Sequence, residues 1–203
     1  MIWRPNRREL MKTLGMGAVA GVLPTFTERV VRAEDNVVQI RATSNNARGE
    51  WYFDPAGLFI EKGQTVRWVA GDQGPTVTAF HPSNYNHELR IPENAEPFNS
   101  RNLMKHGRLR FFELTFDVEG TYDYFARTFE PVGMVGRVVV GRPGGPAEMH
   151  PPGYGGREGR APVFPAQAKL LAMLPSSEIV ARKTIPYPAE VFIRNFPYGD
   201  FNH

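Results

Sequence analysis

The sequence predicts an all-β protein: a Greek-key β-sandwich with one long loop and a C-terminal extension that contains short helices. Two observations carry this prediction. Between residues 37 and 140, several short runs are rich in β-branched and aromatic residues or alternate apolar with polar residues, and turn residues separate them. The same stretch contains no long segment with the periodicity of an amphipathic helix.

The predicted strands follow one another closely. They cover residues 37–43, 51–53, 58–60, 65–69, 76–80, 110–116, 122–125 and 135–140. Residues 81–106 contain repeated proline turn signals and little periodicity, so they are predicted to form the long loop. A sandwich of such short strands is expected to pair them antiparallel.

The composition changes after Gly141. Residues 142–162 are dominated by Gly and Pro and are predicted to be a linker without regular structure. Helices are predicted at 165–174 and from about residue 176 to 183, the second with Ser176 or Ser177 as its N-cap. The final stretch is interrupted by Pro and cannot bury its own aromatic side chains. It is therefore a predicted partner-docking tail, with contacts through Tyr187, Phe192, Phe196, Tyr198 and Phe201.

The N-terminal segment has the features of an export leader. Arg7 and Arg8 lie in a motif that resembles the twin-arginine signal, and the apolar stretch 13–26 is shorter than the ~20 residues of an ordinary membrane span. Small residues around Ala33 suit a leader peptidase. The alternative is a retained leader that contacts a membrane. We divide the chain into leader 1–33, sandwich 34–141 and extension 142–203, and we expect a periplasmic location, peripheral on or anchored to the inner membrane.

Charge and composition exclude several function classes. The net charge is +3 over the whole chain and +4 over residues 1–33, so the remainder carries −1 and indicates no nucleic-acid partner. Cysteine is absent, which excludes disulfides, thiolate metal sites and a Cys nucleophile. No nucleophile-elbow or phosphate-loop motif is present. We therefore predict no catalytic residues and no enzyme.

Several segments resemble plastocyanin/azurin-type cupredoxins. The most specific are Gly120-Thr121-Tyr122-Asp123-Tyr124-Phe125 and Gly133-Met134-Val135-Gly136, which flank the position of the ligand loop in that family. Weaker likeness occurs at residues 53–68, 76–82 and 90–100, and the whole resemblance spans roughly 37–183. It implies a cupredoxin-like sandwich.

The resemblance also locates the positions of the copper ligands. A blue-copper site uses two His and one Cys with a weak axial Met, and in the family the last three fall as Cys-x2-His-x4-Met. Matched on Met134, this pattern places Phe129 and Ala126 at the His and Cys positions, and the first His falls at Pro75. The resemblance therefore implies a member without copper ligands, with no metal and no cofactor. Met134, Phe129 and Pro75 are expected to pack as an apolar plug.

The histidines leave an alternative open. His81, His87 and His106 are predicted to have surface or structural roles, and the alternative is a weak metal site of another type. His150 and His203 are expected to be incidental. The basic cluster of Arg101, Lys105, Arg108 and Arg110 is predicted to be a solvated loop face, with docking of an acidic partner as its alternative.

These observations predict a structural function. We expect a non-catalytic, copper-free docking subunit on the periplasmic face of an integral-membrane electron-transfer complex, such as a photosynthetic reaction centre–light-harvesting complex. The alternatives are a periplasmic electron-transfer or metal-binding protein with an atypical site, and an enzyme or small-ligand binder that uses the loop histidines.

Overall fold

The computed structural model describes residues 36–190, except 72, 106 and 107, and gives only the backbone of 104, 105, 108 and 109. The leader, with Arg7 and Arg8, lies outside the described residues. The strands are β1 (Val37–Asn45), β2 (Glu50–Asp54), β3 (Gly57–Ile60), β4 (Thr65–Ala70), β5 (Thr78–Ala79), β6 (Met104–Lys105), β7 (Arg108–Leu109), β8 (Phe111–Thr115), β9 (Gly120–Phe125), β10 (Val135–Val140) and β11 (Thr184–Ile185). The helices are α1 (Pro146–Met149), α2 (Pro165–Ala172) and α3 (Ser176–Arg182).

Two sheets form the sandwich, so the predicted fold class is confirmed. Sheet 1 has the order β2-β1-β4-β8, and sheet 2 has the order β11-β3-β10-β9-β5. The expectation of purely antiparallel pairing is wrong, because β1 pairs with β4 in parallel and β10 pairs with β3 in parallel. Each parallel pair joins strands that are separated in the chain by strands or turns, so local sequence patterns do not reveal its direction.

The core between the sheets follows from the alternation of side chains along each strand. In β4, Val66 and Trp68 are fully buried while the intervening positions are partly exposed. Tyr122 and Tyr124 of β9 and Val138 and Val140 of β10 join the same cluster. The rings of Trp68 and Tyr124 meet edge to face at 5.4 Å. This cluster is the inter-sheet core that the period-two pattern predicts.

Sheet 2 is buried on both faces. Every residue of β9 and β10 is buried, and their outward-facing apolar side chains form a second cluster with α2, α3 and β11. Its members include Phe80, Phe125, Val135, Val139, Leu170, Leu171, Leu174, Ile179 and Ile185. The C-terminal extension therefore covers a sheet face that would otherwise be apolar and exposed to water.

The prediction of a structureless linker at 142–162 is wrong. This segment contains α1 and a 3₁₀ helix at Tyr154–Glu158, and Thr121 N–H donates to Gly144 O at 2.9 Å. Positive φ angles at Gly145, Gly153 and Gly159 show that its glycines make specific turns.

The two predicted helices in the extension are present, but α3 begins after Pro175 without a side-chain cap, so the N-cap prediction is also wrong. Among the described residues, no helix is long and apolar enough to cross a membrane.

We predict that Gly136→Ala destabilises the sandwich by about 1–3 kcal/mol. Gly136 lies against Tyr124, and an added Cβ would collide with the phenol oxygen and its ring carbon. Tyr124 is fully buried and cannot move away freely. Urea unfolding monitored by fluorescence measures the free energy of unfolding. Gly156→Ala is the matched control, because a Cβ there meets nothing within 4 Å; equal destabilisation by both changes would contradict the prediction.

Candidate functional site

Three of the four positions that the resemblance assigns to copper ligands meet in the connection from β9 to β10. Ala126 N–H donates to Met134 O at 3.0 Å, Phe129 N–H donates to Ala126 O at 2.9 Å, and Met134 N–H donates to Phe129 O at 3.2 Å. A 3₁₀ helix at Arg127–Phe129 makes this closure compact. The main chain therefore holds Ala126, Phe129 and Met134 in one cyclic set of hydrogen bonds.

The fourth position, Pro75, is buried in the segment before β5. Its neighbour Thr76 accepts a hydrogen bond at Oγ1 from Arg127 N–H at 2.8 Å. Thr78 of β5 also pairs with Phe125 of β9. The segment that carries Pro75 is thus joined to the start of the β9–β10 connection, next to Ala126.

This end of the sandwich is apolar. Ala126 and Met134 are completely buried members of the inter-sheet core, and the partly buried Phe129 packs against that core. Trp51 stacks on Phe129, with ring centroids 6.2 Å apart. The side chains at the four positions supply one thioether and no imidazole, thiolate or carboxylate. A thioether alone is the weak axial ligand of a blue-copper site and not a sufficient ligand set.

The histidines do not form a shared site in the part of the chain that the structure describes. His81 is partly exposed and hydrogen-bonds to Ser83 Oγ through Nδ1 at 2.8 Å. His87 is buried, and its Nε2 lies 2.9 Å from Oε2 of Glu130. His150 stacks on Tyr154, while His106 and His203 lie outside the described residues. Among residues 36–190 as described, no group of three His, Asp or Glu has the arrangement of a metal site.

His87 is part of a buried aromatic and ionic cluster that the sequence did not indicate. Its ring lies 4.5 Å from that of Phe125 and 5.3 Å from that of Phe80, measured between centroids. Glu130, which pairs with His87, also binds Arg127 Nη1 at 2.9 Å. This cluster fastens residues of the long loop to the β9–β10 connection.

A second buried ionic cluster centres on Asp123 of β9. Arg137 lies directly opposite on β10 and donates to both carboxylate oxygens, at 2.7 and 2.9 Å. Arg90 of the long loop donates through Nε at 2.8 Å. Burial by itself raises the pKa of Asp123, but Arg137 and Arg90 outweigh it and hold that pKa below its usual value. Asp123 is therefore a buried carboxylate with both oxygens bonded to arginines.

The two arginines connect this carboxylate to the C-terminal extension. Arg137 Nη1 donates to Leu174 O at 2.8 Å, and Arg90 donates to His150 O at 3.1 Å and to Ala147 O at 3.3 Å. Arg90 Nη1 also donates to Glu88 at 3.2 Å, whose carboxylate accepts the backbone N–H groups of Gly153 and Gly155. The sequence signal for this ionic cluster was Asp123 in the middle of β9 and Arg137 in the middle of β10, each the one charged residue of its strand.

The predicted docking tail is described only at its beginning. Tyr187 stacks on Tyr52 of β2 at 4.4 Å, and its N–H donates to Asp54 Oδ1 at 3.0 Å. Tyr187 thus packs on sheet 1 of the same chain. Phe192, Phe196, Tyr198 and Phe201 lie outside the described residues. Of the basic cluster, the side chains of Arg101 and Arg110 are exposed.

Comparison with known proteins shows which proteins this chain is similar to. No protein-family model matches it. It is 32% identical over 108 residues to a halocyanin of Natronomonas pharaonis, a match that covers 53% of this chain and 57% of the halocyanin. It is 28% identical over 92 residues to a plastocyanin of Scenedesmus fuscus, covering 45% of this chain and 89% of the plastocyanin. The chain therefore spans little more than half the length of the halocyanin.

Among solved structures, the chain is similar to the pseudoazurin of Methylobacterium extorquens AM1. The TM-score is 0.49 with 19% sequence identity, over 70% of this chain and 98% of the pseudoazurin.

We predict that Asp123→Asn lowers the free energy of unfolding at neutral pH by about 3–5 kcal/mol, because it leaves the buried Arg137 without its carboxylate partner and Arg90 with Glu88 alone. The depressed pKa means that the carboxylate stabilises the fold above its unfolded-state pKa and loses this effect as pH falls through its folded-state pKa. The variant should therefore lose less stability in acid than the wild type.

Urea titrations at neutral and acidic pH measure both effects of Asp123→Asn. Glu119→Gln is the control, since it breaks an ion pair with Arg142, whose side chain is 88% exposed, and should cost less than about 1 kcal/mol. Parallel pH profiles for Asp123→Asn and the wild type would contradict the prediction.

We predict that the triple change Pro75→His, Ala126→Cys and Phe129→His creates a blue-copper absorption on addition of Cu(II). The main-chain closure around Ala126, Phe129 and Met134 would then carry two imidazoles, a thiolate and the existing thioether. The measurement is a thiolate-to-copper charge-transfer band. The double change without Ala126→Cys is the control and should have no such band. A folded triple variant that binds copper without the band would show that the four positions do not converge.

Proposed function

We propose that this chain is a cupredoxin-like, non-catalytic, copper-free docking subunit on the periplasmic face of a membrane electron-transfer complex. Cupredoxins are typically electron-transfer proteins, and the chain is similar in sequence to halocyanin and plastocyanin. Blue copper requires a thiolate, and this chain has no cysteine. The observation that carries the proposal is the absence of cysteine, together with Pro75, Ala126 and Phe129 at the positions that the resemblance assigns to the strong ligands.

The packing at these positions supports a mechanical function. Ala126 and Met134 are completely buried in the core, so a copper ion there would have to displace well-packed apolar atoms. Buried imidazoles need hydrogen-bond or metal partners, whereas apolar side chains at the same positions stabilise the sandwich by burial alone. A protein that has this arrangement keeps the fold and its surfaces without the redox centre.

A surface next to these positions has the chemistry of a docking site. Tyr85 is 48% exposed, and the Arg127 guanidinium lies over its ring at 4.4 Å from the centroid. Half of the Arg127 side chain is exposed, and its other contact is the buried Glu130. Tyrosine and arginine are the residue types most enriched at binding hot spots. We call Tyr85, Arg127 and the partly buried Phe129 the loop-end surface.

The class of partner is inferred by analogy. Cupredoxins bind electron-transfer proteins during their reaction, and a relative without copper can use the same type of surface for permanent attachment. We favour a photosynthetic reaction centre–light-harvesting complex, with a respiratory complex as the other member of this class. The twin-arginine-like leader supports a periplasmic location, peripheral on or anchored to the inner membrane.

Purification from detergent-solubilised membranes tests the proposal. We expect the chain to co-purify stoichiometrically with integral-membrane electron-transfer subunits and to contain no stoichiometric copper by elemental analysis. N-terminal sequencing of the recovered chain determines whether the leader is retained. A free monomer with one copper ion that is reversibly reduced and reoxidised would overturn the proposal and support the electron-transfer alternative.

Substitution of the loop-end surface sharpens this test. Tyr85→Ala combined with Arg127→Ala should weaken association by roughly 10-fold or more, as expected for hot-spot residues. Arg142→Ala is the matched control, because Arg142 is an exposed cation that pairs with Glu119 elsewhere on the surface. If all variants co-purify equally, the complex does not form through the loop-end surface.

A further inference from the structure

One edge of the sandwich has unpaired backbone groups. β8 is the last strand of sheet 1 and pairs only with β4. At its two ends, Phe116 exchanges hydrogen bonds with Gly63 and Gln64, and Arg110 O accepts from Ala70 N–H. Because backbone groups in a strand alternate in direction, the even-numbered residues of β8 face β4. The N–H and C=O groups of Phe111, Glu113 and Thr115 therefore face the free edge.

The side chains of these three residues are also exposed, since the burial of β8 alternates from exposed to partly buried along the strand. Phe111 is 56% exposed and is one of three large hydrophobic side chains that are exposed among the described residues. The β4–β8 ladder uses the even-numbered residues of β8, and no other backbone–backbone hydrogen bond among the described residues involves Phe111, Glu113 or Thr115. The edge therefore combines free hydrogen-bonding groups with an exposed aromatic ring.

The other sheet edges of the described residues are shorter or are contacted by other segments of the chain. β5 is two residues long, and residues 98–100 lie beside it. Ala79 N–H donates to Phe98 O, and Ser100 N–H donates to Val77 O. β11 is also only two residues long. β2 has five residues like β8, but Tyr187 contacts it, stacking on Tyr52 and donating its N–H to Asp54 Oδ1. β8 contains five residues without Pro or Gly. Proteins usually protect such a strand, because it can pair with another chain.

We infer that the free edge of β8 binds an extended strand of a partner protein, which adds to sheet 1. This inference deepens the proposed function, on which it rests, by naming a second docking surface and the conformation of the partner. Strand addition takes its affinity from main-chain hydrogen bonds and its specificity from alternate side chains. The three exposed residues of β8 determine which side chains the partner strand presents.

The charges and rings on β8 specify that partner strand. Arg67 lies 5.0 Å from the Phe111 ring centroid and also binds Glu113 at 2.5 Å, so one face of Phe111 is occupied. An apolar residue of the partner would pack on the remaining surface of Phe111, and a basic residue would lie opposite Glu113. A second copy of this chain fits less well, because antiparallel pairing centred on this strand would place Glu113 opposite Glu113 of the other copy.

The isolated full chain tests the inference without any knowledge of the partner. The probe is a fluorescent, end-blocked peptide, Ser-Thr-Val-Lys-Val-Ile-Ser, whose Thr, Lys and Ile would lie opposite Thr115, Glu113 and Phe111 in antiparallel pairing. We expect binding by fluorescence anisotropy and slower amide hydrogen exchange at Phe111, Glu113 and Thr115. The same peptide with N-methyl groups on Thr, Lys and Ile should bind at least ~10-fold more weakly, because it lacks the edge donors. Equal binding of both peptides would overturn the inference.

Two substitutions of Glu113 separate backbone pairing from charge. Glu113→Pro removes the free N–H and the carboxylate, and it is compatible with the fold because that N–H is not bonded to β4. Glu113→Ala removes the carboxylate alone. We expect Glu113→Pro to weaken peptide binding and co-purification from membranes at least ~10-fold more than Glu113→Ala. Circular dichroism and thermal unfolding verify that both variants are folded.

The remaining outcomes are distinct. If wild-type chain co-purifies with a membrane complex but the two Glu113 variants behave alike, the proposed function stands and the strand-addition site is overturned. Peptide binding with edge protection, but without co-purification, supports the site and contradicts the proposed function. A concentration-dependent dimer that Glu113→Pro abolishes would assign the edge to a second copy and overturn the assignment to a partner protein.

Discussion

The burial of Asp123 between Arg137 and Arg90 is the constraint on which the outer half of this structure depends. A carboxylate inside a protein costs several kcal/mol unless its charge is compensated, so β10 and the long loop must both supply arginines. The Nη1 groups of both arginines do not contact Asp123 and donate to carbonyl oxygens of the C-terminal extension. The buried charge of Asp123 thus links β10, the long loop and the C-terminal extension. These polar contacts fix how the extension packs on the apolar face of sheet 2.

The connection from β9 to β10 combines buried apolar side chains with an exposed polar and aromatic side. At three of the predicted ligand positions, Ala126, Phe129 and Met134 supply apolar atoms that join or pack against the core. Nearby, Arg127 spans from the buried Glu130 to the exposed ring of Tyr85. The β9–β10 connection therefore has an apolar interior and an outer side that is aromatic and basic.

The sequence predicted the sandwich because each strand has a local period-two pattern, as in Thr65–Ala70, where apolar and polar side chains alternate. It did not predict that β1 and β4 run parallel, since strand direction in a pair depends on contacts distant in the chain. Gly and Pro in 142–162 indicated a linker, yet they form turns whose N–H groups bind Glu88. The ionic cluster became recognisable only when β9 and β10 aligned Asp123 with Arg137.

The double burial of sheet 2 has a consequence for what counts as a unit of this protein. Its outer face consists of the apolar side chains of β9 and β10, and α2, α3 and β11 complete the second cluster against them. A fragment that ends at Gly141 would expose the apolar side chains of this face to water. Arg90 and Arg137 would also lose the carbonyl oxygens of the extension that accept their hydrogen bonds. A domain boundary at Gly141 therefore divides a hydrophobic core. The smallest stable folding unit includes α2, α3 and β11.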